Sequence, residues 1–133
     1  MEEESTVGSP FIAVAEELDY AGLCWYPEIG DEVSSREDLG HISILVDPNG
    51  MSTKELRETY LWLPTVEQLV WQIEARQGIL FHAGLEMTKG ALNYKTVIQA
   101  QLGVIESLGN SLRSSVGIAL KELITIERSK VLH

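Results

Sequence analysis

The chain has 133 residues, 44% hydrophobic and 23% charged, which is enough apolar material for a core and too much for an intrinsically disordered protein. Its net charge of −10 is unevenly spread: residues 1–58 carry 14 acids and 3 bases, net −11, and residues 59–133 carry 6 acids and 7 bases, net +1. The front half therefore cannot supply the basic face that a phosphate backbone demands, and direct nucleic-acid binding is not expected.

Residues 1–9 are polar and acidic, with no basic start or apolar run of a signal peptide, and read as a flexible N-terminus. Residues 10–133 read as a single α+β domain. Ser9-Pro10 is a helix cap and first turn. Phe11, Val14, Ala15 and Leu18 then recur at the spacing of one helical face, and Gly22 is a stop. Residues 23–26 read as a buried strand ended by Pro27, with Cys24 an inert core thiol. Residues 28–40 read as a long polar loop with five acids: Glu28, Asp31, Glu32, Glu37 and Asp38.

Residues 41–46 read as a strand, closed by the turn Asp47-Pro48-Asn49-Gly50. Ser52 and Glu55 have capping-box spacing for a short helix, and residues 59–63 read as extended before Pro64. Thr65 and Gln68 form a second capping box, opening the clearest helix. Its apolar stripe is Val66, Leu69, Val70 and Ile73, with Gly78 as its end. Trp71 lies off that stripe, which makes it the interface candidate, whereas Trp25 and Trp62 read as core.

Residues 79–88 and 92–102 flank a Lys89-Gly90 turn and alternate. Phe81, Ala83, Leu85 and Met87 share a face with Leu92, Tyr94, Thr96, Ile98 and Ala100; His82, Glu86, Lys95, Gln99 and Gln101 take the other. Residues 104–108 read as a third strand. Gly109-Asn110-Ser111 opens a last helix with Leu112, Val116, Ala119, Leu120 and Leu123 on its stripe.

Chemistry is sparse. His41, His82 and His133 share no metal-binding spacing, so no metal and no cofactor are expected. Nucleophile motifs and phosphate loops are absent, and no catalytic residue is assigned. His82, Glu86 and Lys95 are the candidates for a ligand site on the open face of the hairpin, set against a plain cross-strand ion pair. The acidic stretch around Glu37 and Asp38 with His41 is the other candidate, set against solvated surface charge.

Residues 62–69 (WLPTVEQL), followed by 74–78 (EARQG) and by Gly109-Asn110-Ser111 with Val116-Gly117-Ile118-Ala119-Leu120, resemble a type of small bacterial protein. That type carries a WLPTxxQL helix start, then strands, then a capped terminal helix. The resemblance spans residues 60–124 and implies architecture but no activity; some such genes look phage-associated. The three-strand-then-helix ending also has the outline of a HicB-type antitoxin domain, a likeness of topology only.

The fold expected is thus α+β, with an antiparallel sheet of the meander 79–108 plus N-terminal strands, packed against two or three helices. The expected function is that of a cytoplasmic protein-interaction or regulatory module, the alternative being a small-molecule-binding domain or enzyme. No apolar stretch approaches the roughly 20 residues of a membrane span, and the lone cysteine suits a reducing compartment. A homodimer is expected, with a further protein partner possible.

Overall fold

The computed structural model describes residues 9–131, so most of the acidic start read as flexible lies outside the described residues. The fold is α+β. In chain order the described elements are α1 (Ser9–Ala21), β1 (Glu32–Ser35), β2 (Ile42–Ile44), α2 (Thr53–Thr59), β3 (Tyr60–Trp62), α3 (Val66–Ala75), β4 (Ile79–Thr88), β5 (Ala91–Ala100), β6 (Gly103–Gly109) and α4 (Leu112–Val131). They gather into two compact units that meet in sequence between Pro64 and Thr65, where the sequence reading drew no boundary. The N-terminal strands do not extend the meander. They form a sheet of their own, β2-β1-β3, separate from the sheet β4-β5-β6.

In the first unit, α1 buries Phe11, Val14, Ala15 and Leu18 as its spacing requires. Gly22 ends the helix at φ 113°, and its N–H and that of Leu23 both return to Leu18 O. Residues 23–26 form no strand. Leu23 and Trp25 are buried while Cys24 and Tyr26 face outward, so the segment alternates as a strand would. It enters no ladder, and Trp25 O accepts instead from Arg57 Nε at 2.6 Å. Cys24 is consequently exposed rather than an inert core thiol.

The stretch 28–40 is also not an open loop. Glu32–Ser35 within it is β1, the central strand, pairing antiparallel with β2 at Val33–Ser43 and with β3 at Ser34–Leu61. Asp31, buried ahead of β1, accepts from Trp25 Nε1 at 2.8 Å and from Glu28 N at 3.0 Å. Trp25, Val33, Leu45 and Leu56 make a core cluster joined by Met51, Tyr60 and Trp62. The capping box of Ser52 and Glu55 closes as its spacing predicts, with bonds of 3.1 and 2.8 Å.

In the second unit, Thr65 and Gln68 close the other capping box, and α3 buries Leu69 and Ile73. The left-handed residue past its end is Gln77, at φ 63°, rather than Gly78. Gly78 is needed for space instead: a Cβ there would stand 2.9 Å from Ile73 Cγ2 and 3.2 Å from Ile98 Cγ2. The β4–β5 turn has Lys89 at φ 51° and Gly90 at φ 81°, both positive as a two-residue hairpin turn requires. Helices α3 and α4 both pack on the sheet and on each other, over a core that includes Leu69, Ile73, Ile98, Ile105, Val116 and Leu120.

Candidate functional site

The sheet of the second unit is uneven in length, and that unevenness makes its most distinctive surface. β4 pairs with β5 from Ile79–Gln99 to Thr88–Ala91, but β6 reaches only Tyr94, which pairs with Gly109. The pairs Glu86–Asn93, Met87–Leu92 and Thr88–Ala91 therefore project as a two-stranded hairpin. Side chains alternate across a strand, so Leu92 and Tyr94 share the face of the buried Thr96 and Ile98. Leu85 and Met87, their partners across β4, lie on the same face. Where β6 is absent this face is uncovered: Leu85 is 53% exposed, Met87 67% and Leu92 60%.

The alternation expected for β4 is corrected at one point. A register shift between Leu80 and His82 leaves Phe81 with no partner, a one-residue bulge. Leu80 stands opposite Ile98 on the face that the alternation gave to Phe81, and Phe81 is 77% exposed.

His82, Glu86 and Lys95 lie on the other face, and the structure brings only two of them together. His82 Nε2 stands 3.0 Å from Glu86 Oε2, yet without the alignment of a hydrogen bond. Four residues of strand separate them, and the gap closes because Gly84 lies between. His82 Cε1 sits 3.5 Å from where a Gly84 Cβ would be, so the imidazole leans over that glycine. Lys95 turns to β6, 3.5 Å from Glu106. An ion pair in solvent of this kind adds little stability and forms no site by itself.

Trp71, on α3 beside the buried Leu69 and Ile73, is 58% exposed. Glu37, Asp38 and His41 lie on the exposed turn joining β1 and β2, where His41 N donates to Asp38 O at 3.0 Å. Among the described residues, no three His, Cys, Asp or Glu side chains gather as metal ligands. A groove of about 480 Å³ runs between the β5–β6 turn at Leu102 and α4 at Leu123 and Ile126. Its charges are mutually engaged, with Arg76 Nε 3.5 Å from Glu127 Oε1 and Arg76 Nη1 2.8 Å from Gln72 Oε1.

Sequence reasoning missed that the hairpin outruns its cover. The signal was present in the strand lengths, since a third strand of seven residues cannot span strands of ten. No protein-family model, curated protein or solved structure gives a significant match to this chain.

Proposed function

We propose that this chain is a protein-interaction module, and that its contact surface is the apolar face of the β4–β5 hairpin. One observation carries the reading: Leu85, Met87 and Leu92 stand together on one exposed face, continuous with the core. A contiguous apolar patch costs solubility, and soluble proteins keep one where a partner covers it. The partner that best fits is a second copy, hairpin face against hairpin face. Residues 59–133 carry a net charge of only +1, so two such halves do not repel, whereas the −11 of residues 1–58 forbids contact through the front. A two-fold axis lets one patch satisfy itself. Trp71 supplies further exposed aromatic surface in the same unit.

Sedimentation equilibrium across the micromolar range tests this. The expected result is a dimer that Leu85→Glu and Met87→Glu convert to monomer with an unchanged far-UV spectrum, because both side chains are exposed. A wild-type chain that stays monomeric throughout that range would overturn the pairing.

A further inference from the structure

A different surface, confined to the first unit, holds a cleft lined by aromatic and cationic side chains. Leu18, Leu61, Trp25 and Trp62 wall a cleft of about 210 Å³ that Arg36 and Arg57 also line. Residues 1–64 contain 14 acids and three cationic side chains, Arg36, Lys54 and Arg57, and two of those three meet at this cleft. Each arginine is held through its Nε: Arg36 donates to Arg57 O at 2.8 Å, and Arg57 to Trp25 O at 2.6 Å. Those bonds fix the guanidinium planes and leave the terminal nitrogens to act. Asp19 Oδ2 lies 3.3 Å from Arg36 Nη1. Arg57 Cζ lies 5.1 Å from the Tyr26 ring centroid, and its terminal nitrogens meet no acceptor among the described residues.

Trp62 adds a third donor. Its ring stacks on Trp25, with centroids 6.5 Å apart and planes 16° from parallel. Trp25 Nε1 is satisfied by Asp31, but Trp62 Nε1 is buried and meets no acceptor among the described residues. A buried N–H without an acceptor is rare and calls for an account. Among the residues that line the cleft, two guanidinium groups stand with one carboxylate, Asp19.

We infer that this cleft binds a small one-ring carboxylate, with the carboxylate on Arg57 and Trp62 Nε1 and the ring against the tryptophan and leucine walls. A planar guanidinium matches a carboxylate with two parallel hydrogen bonds, which a neutral amide cannot reproduce. The size agrees, since an apolar cavity of about 150 Å³ accepts benzene, and the cleft has room for one ring and its carboxyl group but not for a nucleotide.

Benzoate is the probe and benzamide its neutral counterpart. In a Trp71→Phe background, with excitation selective for indole, the emission comes from Trp25 and Trp62. Benzoate should then give a saturable emission change, with benzamide at least about tenfold weaker, an energy difference of roughly 1.4 kcal/mol. Benzoate should also slow maleimide labelling of Cys24, which lines the same cleft. Trp62→Phe keeps the stacking and loses no hydrogen bond, so by calorimetry it should bind benzoate several-fold more weakly while melting near wild type. Arg57→Lys should weaken binding further. The inference is overturned if millimolar benzoate gives no saturable response, if benzamide binds as tightly, or if Trp62→Phe binds like wild type.

Discussion

The hydroxyls of Thr96 and Ser115 lie 2.7 Å apart, both fully buried, where α4 packs on the central strand β5. Ser107 on β6 joins them, its Oγ donating to Ser115 O at 2.7 Å. The helix is thus bonded to two strands through small polar side chains inside an apolar core. Removing one partner of a buried pair strands the other, at about 1–3 kcal/mol. Ser115→Ala and Thr96→Val should each fall in that range by urea unfolding. The double variant should cost less than their sum, by about 1 kcal/mol. Ser114→Ala, one residue away, should be neutral or stabilising, because Ser114 Oγ is buried with no partner to lose. Equal losses at 114 and 115 would contradict this account.

Two glycines and one glutamine near the sheet should respond with opposite signs. A Cβ on Gly109 would stand 2.7 Å from Ser115 N and 2.9 Å from Ser115 Cα, both backbone atoms of α4. Gly109→Ala must therefore push the helix off the sheet, at the upper end of the roughly 1–3 kcal/mol of overpacking. Gly78→Ala meets the buried Ile73 Cγ2 at 2.9 Å and Ile73 O at 3.2 Å, contacts slightly longer than those at Gly109, so it should also destabilise but cost somewhat less. Gln77→Gly should instead stabilise by up to about 1 kcal/mol, since Gln77 holds a left-handed backbone that glycine adopts freely. Its side chain gives up only an exposed bond from Gln101. Thermal melts of the three variants give the ranking directly.

Asp31 is the polar centre of the first unit. Asp31→Ala removes the acceptor of both Trp25 Nε1 and Glu28 N, leaving a buried indole N–H unpaired, and should cost about 2–4 kcal/mol. Asp31→Asn keeps an oxygen in place and should cost distinctly less. A near-UV spectrum reporting the Trp25 environment should change in the alanine variant and persist in the asparagine one. Similar losses in both would mean that the charge, rather than the hydrogen bonds, holds this corner.

The parts of the fold that were legible are those decided within a few residues. Both capping boxes form as their spacing demands, and the Lys89-Gly90 turn sets the hairpin where its dihedral needs put it. β1 was hidden because its residues, Glu32 to Ser35, are mostly polar, and only its place between two other strands makes it a strand. Residues 23–26 misled in the opposite sense, being apolar and alternating but without a neighbouring strand to bond. The cleft was beyond reach, since Arg36, Arg57 and Trp62 converge only through the β1–β3 pairing and the bond of Arg57 to Trp25. His82 and Glu86 were placed on one face correctly, but the glycine that lets them meet was not foreseen.

The bulge at Phe81 gives the sharpest test of the sheet. Pairing runs Ile79–Gln99 and Leu80–Ile98, then resumes at His82–Val97, so Phe81 is one residue in excess of the ladder. Deleting Phe81 would join Leu80 directly to His82 with both already opposite their present partners. Every side chain would keep its face, and the variant should fold with a melting temperature near wild type. Deleting Ala83, two residues on, can be absorbed only by using up the same spare residue: Phe81 would move opposite Val97, and His82 would be driven into Ala83's place opposite the fully buried Thr96. That variant should fail to fold or lose several kcal/mol, on the scale of unpaired polar groups driven into a core. Amide exchange of β5 distinguishes the outcomes, remaining slow in the Phe81 deletion and fast in the Ala83 deletion. If the two deletions are equally damaging, the bulge holds strain or twist that the sheet needs, and Phe81 is not a spare residue.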